Sequence, residues 1–512
     1  VLGSLLAQAT EGVWKSPYVD YHALAPEIVM AGVVCMVLLL DLFLPEHRKW
    51  MTATLGGFGV LGALIPVLTL AVSSEPARVM FNGAYVVDDF SLVLKALFLI
   101  ATYVVILLST TYVDEGDYYE GEYYLLLLTS ALGMVMMASS RDLISIFVAL
   151  EFLSIPAYML AGWRKRDTKS NEASIKYYLL GVFASAVMLY GMSLMYGTTK
   201  TTILSGIAES IRDNGVEGAT ALGIVFVLIG FAFKISAVPF HQWAPDTYEG
   251  APTPVTAFLS VASKAAGFVA LITLVFVGFP DGIDVWKPLF WVLSVVTMTV
   301  GNVLALKQTN MVRMLAYSSV SQGGFILMPL AVASSQSDVG LVANRDALTA
   351  VVTYLLVYAA MNLGAFGVVL AVARKTRSGE ISSFGGLFSY APALGVAMTF
   401  FMGSLAGIPP LGGWIAKFTV IRALASDGSG WAIALAVIGM LNAVIAVGYY
   451  GNVLREVWMR PVPEGDTRRI PIPGALGAAL VICSVATLVL GVLPNLVLRF
   501  GDNLDLAGLL GG

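Results

Sequence analysis

Apolar runs of about 20 residues, the length that crosses a hydrocarbon core roughly 30 Å thick, recur along this chain with only short polar interruptions. They predict helices over 26–44, 51–71, 90–111, 123–138, 143–161, 173–196, 219–240, 254–277, 285–306, 311–332, 348–372, 390–425, 431–453 and 474–497. The twelfth run is too long for one straight crossing. No soluble domain fits between the runs. The fold class is therefore an all-α, polytopic integral membrane protein of about fourteen transmembrane helices.

Two of these helices look interrupted. The seventh runs into Ala237-Val238-Pro239-Phe240-His241-Gln242-Trp243-Ala244-Pro245-Asp246, and the twelfth contains Gly407-Ile408-Pro409-Pro410-Leu411-Gly412-Gly413-Trp414. Proline removes an amide donor and clashes with the preceding turn. Non-helical backbone at membrane depth survives only where protein or water satisfies it. The breaks lie five crossings apart, an odd number, so the two helices run in opposite directions. Paired broken helices of opposite sense are the mark of an inverted repeat with its functional site close by; simple proline kinks are the plainer alternative. The expected organisation is three N-terminal helices (1–122), a first five-helix repeat (123–280), a second, inverted repeat (281–457) and a last helix (458–512).

Composition agrees with a lipid solvent. The chain is 58% hydrophobic and 12% charged, against roughly 25% charged residues in soluble domains. A net charge of -4 gives no ground for a nucleic-acid partner. Cys35 and Cys483 sit in apolar runs and offer neither a disulfide framework nor metal-ligand spacing, and His22, His47 and His241 are scattered. Residues 1–8 are apolar but short and lack a positive leader, so they do not read as a signal peptide.

Lys and Arg sort the loops. One side holds Arg48, Lys49, Arg164, Lys165, Arg166, Lys169, Lys307, Arg374, Lys375, Arg377, Arg455, Arg460, Arg468 and Arg469. The other holds Lys15, Arg78, Arg141, Lys200, Arg212, Lys287, Arg345 and Arg499. The first, denser set is placed in the cytoplasm, which puts both termini on the outer side of the membrane.

Ionisable residues inside the runs are the candidate chemistry. A central Lys or Asp costs about 2.5–3.5 kcal/mol on insertion scales. Glu151 lies ten residues beyond Arg141, roughly 15 Å along a helix axis at 1.5 Å per residue. Lys234 sits five residues before Pro239, Lys264 about ten residues into the eighth helix, and Lys417 just after the second break. Four such groups cost on the order of 10 kcal/mol, so pairing, hydration or deprotonation must relieve them. Structural ion pairs or snorkelling side chains are the ordinary alternatives. Lys176 begins its helix near the basic side, within snorkelling reach, and Lys95, near a helix end, reads as structural. His241 at the first break can relay protons, since imidazole titrates near about 6.5, or can be a hydrogen-bonded structural residue.

Burial disfavours an ammonium and a nearby carboxylate favours it. A lysine whose Glu partner approaches and retreats therefore takes up and releases a proton. Glu151, Lys234, Lys264 and Lys417 can form such a chain with water between them. That chemistry needs no cofactor and no covalent step. No phosphate-cradling loop, CxxC pattern or nucleophile motif accompanies it, and Ser321-Gln322-Gly323-Gly324 reads as close packing or a polar lining inside a helix.

The stretch from Phe233-Lys234-Ile235-Ser236-Ala237-Val238-Pro239-Phe240-His241-Gln242-Trp243 to Ala244-Pro245-Asp246-Thr247-Tyr248-Glu249-Gly250-Ala251-Pro252-Thr253-Pro254-Val255 resembles the signature of the antiporter-like membrane subunits of respiratory complex I. Lys176-Tyr177-Tyr178-Leu179-Leu180-Gly181, Leu315-Ala316-Tyr317-Ser318-Ser319-Val320 and Gly407-Ile408-Pro409-Pro410-Leu411-Gly412-Gly413 resemble the N type among them. The likeness runs from about the fourth to the thirteenth helix. It implies proton transfer by Glu151, Lys234, Lys264 and Lys417, with Lys176 as a further functional lysine on the sixth helix; Lys417 favours the N or L type over the M type. It also implies a proton-translocating subunit, with no redox chemistry in this chain. NADH, flavin (FMN), iron–sulfur clusters and quinone then belong to partner membrane and peripheral subunits. A subunit of a multicomponent sodium/proton antiporter, or a membrane scaffold that pumps nothing, are the competing expectations.

Overall fold

A computed structural model describes residues 18–73, 77–116, 118, 120–333 and 338–498. The expectations for residues 1–8, Lys15, Arg499 and the location of both termini fall outside these residues.

In chain order the helices are α1 (Ala25–Phe43), α2 (Trp50–Val72), α3 (Asp89–Glu115), α4 (Glu120–Ser139), α5 (Leu143–Ala161), α6 (Thr168–Thr199), α7 (Leu204–Asn214), α8 (Gly218–Lys234) and α9 (Trp243–Gly250). They continue as α10 (Thr253–Gly278), α11 (Ile283–Ala305), α12 (Met311–Leu327), α13 (Asp338–Thr376), α14 (Pro392–Ala406), α15 (Gly412–Asp427), α16 (Gly430–Met459) and α17 (Gly474–Val492). Twelve of these segments are long and apolar enough to cross a membrane. The broken pairs α8–α9 and α14–α15 supply the seventh and twelfth crossings. The short amphipathic α7 and a hairpin of β1 (Arg78–Met80) with β2 (Tyr85–Val87) lie between crossings, where the sequence pattern showed only polar interruptions.

Helix starts follow the side chains that can satisfy free amides. Asp88 and Ser91 form a capping box at α3, Asp142 accepts from Ser145 N at α5, and Asn310 accepts from Val312 N and Arg313 N at α12. Because the helices are apolar on all sides, their order in the bundle is set by small-residue packing rather than by an apolar stripe. At Gly133 a Cβ would stand 2.6 Å from Leu153 N, and at Gly324 it would stand 2.5 Å from Met298 Cγ. The apolar stretch of α10 is buried throughout, while only 22% of that of α1 is; α10, α12 and α13 form the centre and α1 lies at the periphery.

Ion pairs join loops of one face only. Arg374–Glu115 and Lys169–Glu249 tie the basic face, and Met311 N donates to Gly379 O at 2.7 Å on that side. On the opposite face, from which α1 starts, Arg78–Asp20 (2.6 Å), Arg141–Asp88 (3.0 Å) and Arg212–Asp281 (3.5 Å) do the same.

Most spans shift by a few residues at their ends, the eleventh by ten at its start, and the two interrupted spans differ in kind. The seventh was expected to run through residue 240, but α8 stops at Lys234 because Ser236 turns into the left-handed region at φ +60°. The overlong twelfth run resolves into α14 and α15, separated at Gly407, φ +91°.

Candidate functional site: a line of buried amines

Lys234 is the last residue of α8, and 3% of it is exposed. Its Nζ donates to Ser154 Oγ (2.9 Å) and Tyr177 OH (3.2 Å). The Tyr177 ring stacks on Trp243 at 4.4 Å, and Trp243 Nε1 donates to Phe233 O at 3.0 Å. Val238 N, inside the break, donates to Thr297 Oγ1. Side chains thus satisfy backbone groups that the broken helix leaves free, as membrane depth requires.

Glu151 lies one turn before Ser154 on α5. It is half-buried, and its Oε1 accepts from Ser185 Oγ at 2.7 Å. Among the described residues it makes no ion pair with Lys234; Ser154 stands between them in sequence and binds the lysine.

Lys264 opens a regular stretch of α10 directly after a π-helical turn, Leu259–Ser263. Such turns occur frequently at functional sites. Its Nζ donates to Ser319 O (2.7 Å) and Ser319 Oγ (2.5 Å) on α12. Gly323, one turn on, lies against this amine: a Cβ there would stand 4.0 Å from Nζ, at ordinary contact distance. Gly267 brings α10 against α8, where a Cβ would meet Lys234 Cγ at 3.3 Å.

Lys417 on α15 folds back to the end of α14. Its Nζ donates to Leu405 O (3.0 Å) and Ala406 O (2.8 Å), carbonyls that a C-terminal helix turn cannot satisfy itself. Gly407 is required here twice over: its φ is positive, and a Cβ would stand 2.9 Å from Lys417 Cδ. The lysine also lies 5.2 Å from the Phe325 ring centre.

Gln322 joins the last two amines. Its Nε2 donates to Leu405 O (3.2 Å), the carbonyl Lys417 also uses, and to Tyr450 OH (3.0 Å). Tyr354 OH donates to Gln322 Oε1, and Ser318 and Tyr450 share a 2.5 Å hydrogen bond. Gln322 is one turn from Ser319, so α12 carries a polar edge from the Lys264 contact to the Lys417 contact. The sequence flagged Gln322 only as a possible lining residue; it missed Ser319, Tyr354 and Tyr450. The readable signal was the density of hydroxyl and amide groups in Ser318-Ser319-Val320-Ser321-Gln322, inside a helix that is 94% buried.

Lys176 and His241 stand apart from this line. Lys176 is at the basic face with 41% of its side chain exposed, paired to Asp246 (2.6 Å) and Glu172 (2.5 Å). Asp246 also meets Arg313 at 2.8 Å, and Arg313 meets Glu249 at 2.9 Å. Lys176 is nonetheless next in sequence to Tyr177, the partner of Lys234. His241 is half-buried at the break; its Nδ1 is enclosed without a partner, and the three buried lysines make their hydrogen bonds elsewhere.

A bundle with two broken crossings, a lysine beside each break and a third lysine between them defines an antiporter-like polytopic membrane protein. Residues 140–445 match the family described as NADH:quinone oxidoreductase/Mrp antiporter, transmembrane. NADH-quinone oxidoreductase subunit N of Trichlorobacter lovleyi is 39% identical over 492 residues, covering 95% of this chain and 97% of that one. A chain of respiratory complex I from Thermus thermophilus aligns with a TM-score of 0.77 at 31% identity, over 93% of this chain and 98% of its own. A chain of the Mrp complex from Dietzia sp. shares the fold at a TM-score of 0.82 and 22% identity, over 96% of this chain and 100% of its own. The chain belongs to the NADH:quinone oxidoreductase/Mrp antiporter family of membrane subunits, in its subunit N branch.

Proposed function

We propose that this chain is a proton-translocating membrane subunit of a bacterial NADH:quinone oxidoreductase, moving protons along its buried amines while quinone is reduced elsewhere in the assembly. One observation carries the reading. Lys234, Lys264 and Lys417 are 2–8% exposed, and hydroxyls or backbone carbonyls, not carboxylates, accept their hydrogen bonds. A permanent buried ammonium without a counter-ion is strongly unfavourable. The hydroxyl partners of Lys234 and Lys264 accept from an ammonium and donate to a neutral amine equally well, and the two carbonyls at Lys417 can take the two hydrogens that a neutral amine keeps, so these settings tolerate both protonation states. Buried polar atoms without a protein partner, Ser321 Oγ, Tyr358 OH and Asn362 Oδ1, are chemistry that calls for ordered water.

Glu151 then modulates Lys234 through the shared Ser154 turn, Lys264 is the central relay, and Lys417 is the exit-side donor. Lys176, with Asp246, guards the mouth on the basic face, and His241 relays at the first break. The repeats 123–280 and 281–457, the cytoplasmic placement of the basic face and the location of NADH, flavin, iron–sulfur clusters and quinone in partner subunits complete the reading. Support for the complex over a sodium/proton antiporter is the subunit N relatives; purification in mild detergent should retain iron–sulfur subunits.

The test is Lys264→Ala in the assembled complex. Subunit content should be unchanged, while proton pumping and coupled quinone reduction fall sharply. Normal pumping by that variant refutes the relay.

A further inference from the structure

A fourth lysine lies buried outside the segment matched by the family, and the relay does not use it. Lys95 on α3 is 0% exposed, and its Nζ stands 2.7 Å from Glu27 Oε1 on α1. The same oxygen accepts from Tyr85 OH at 2.6 Å, and the Lys95 amine lies 5.5 Å from the Tyr85 ring centre. The sequence placed Lys95 near a helix end, within reach of water, and read it as structural. The hairpin and α1 close over it instead, so the amine cannot snorkel.

Glu27 is the outlet of this pocket. Its side chain is 12% exposed, while Oε2 is enclosed and has no partner. Burial first, and the neighbouring Glu27 next, push the Tyr85 phenol well above its ordinary range, so Tyr85 remains a donor to the carboxylate. Two arginines on this side are already matched: Arg141 binds Asp88 Oδ2 at 3.0 Å and also donates to Ala138 O and Ser140 O, and Arg78 binds Asp20. Ser139, at the end of α4, faces the Tyr85 hydroxyl, and Thr273 on α10 has a buried hydroxyl without a partner. Ser140 bridges the Tyr85 backbone, and α4 packs on the Lys264–Thr273 stretch of α10.

We propose that Glu27 and Lys95 form a second proton-release port, on the face from which α1 starts, resting on the proton-transfer reading above. The step is one proton passing from the Lys95 ammonium to the Glu27 carboxylate once the amine, 2.7 Å away but outside hydrogen-bond geometry, turns toward it, leaving a neutral amine and a carboxylic acid. The acid then yields the proton to water at the surface, and Lys95 is reloaded from the Lys264 side by way of the α10–α4 hydroxyls. An ion pair kept only for structure has no use for a second carboxylate oxygen buried without a partner.

The experiment is the charge-neutral double variant Glu27→Gln/Lys95→Met in the whole complex, reconstituted in liposomes, with Lys264→Ala in parallel. Replacing both partners of a buried pair is often neutral for stability, so assembly should match the native complex. The expected result is loss of a distinct share of the protons pumped per NADH oxidised. A double variant that assembles and pumps normally while Lys264→Ala fails overturns the port alone; normal pumping by Lys264→Ala overturns the parent reading. If the double variant does not assemble, Glu27→Asp keeps the charge but shortens its reach. A port predicts slower pumping with a larger solvent isotope effect in that variant, and an unchanged rate and isotope effect overturn it.

Discussion

Gln322→Leu separates transport from stability. The substitution removes three hydrogen bonds, to Leu405 O, to Tyr450 OH and from Tyr354 OH. Leu405 O keeps Lys417 and Tyr450 keeps Ser318, so Tyr354 alone loses the partner described for it. Interhelical hydrogen bonds in membranes average about 0.6 kcal/mol and reach about 1.7. Three of them amount to about 2 kcal/mol, small against the roughly 5–15 kcal/mol of a typical fold. Leucine also fills most of the vacated volume with apolar atoms that suit the site. The variant should therefore assemble, with a melting temperature only slightly lowered. Its polar edge along α12 is cut between Ser319 and Leu405, however, so proton delivery from Lys264 to Lys417 should stop. Reconstituted complex, a pH-sensitive dye and NADH oxidation measured together give protons moved per turnover, while subunit content and melting report integrity. Full pumping from an intact Gln322→Leu complex would show that protons do not pass along α12.

Other substitutions probe the scaffold. Gly133→Val drives a side chain into backbone, 2.6 Å from Leu153 N and 2.8 Å from Ala149 O; overpacking alone costs about 1–3 kcal/mol, and here neither atom can yield, so the assembled complex should be nearly absent on native gels. Asn302→Leu removes the bonds from Nδ2 to Asn442 O and Oδ1 and strands Tyr449 OH; a destabilisation of about 1–3 kcal/mol should appear as a lower melting temperature, and no change would mean that these three bonds add nothing to the packing of α11 on α16. Asp246→Asn breaks contacts with Lys176 and Arg313 that are about a third exposed; the effect on stability should stay below about 1 kcal/mol and fade with added salt, as melting at two ionic strengths will show.

The crossings were legible because lipid leaves the backbone few choices, and the bounds 143–161 and 311–332 coincide with observed segments. The start of the first break was not. Pro239 is the visible signal, yet α8 has already ended at Lys234, because the reversal occurs at Ser236. Depth alone selected Lys234, Lys264 and Lys417, and all three are buried. It could not separate interior from periphery: Glu151, at similar depth, is half-buried and bonded to Ser185. Lys95, by contrast, sits near a helix end but is sealed by a hairpin that no apolar run announces. The link from Gln322 to Leu405 spans 83 residues, and nothing in local pattern pairs positions that far apart.

The irregular backbone and the buried amines solve each other's problem. A regular helix uses its own carbonyls, leaving none for a lysine in lipid. Where α14 ends at Gly407, Leu405 O and Ala406 O are freed, and Lys417 takes both. Where α8 ends, Phe233 O accepts from Ser236 N and also from Trp243 Nε1, which holds Tyr177 in its stack and its hydroxyl against Lys234. At Lys264 the helix does not break; it slips into a π turn just before the amine, and the partner oxygens come from Ser319 on α12. Each amine is thus solvated by fixed dipoles rather than by a carboxylate. That arrangement lets a passing proton change the charge of one site without stranding a permanent anion beside it, and it accounts for Gly407 as space reserved around the Lys417 amine.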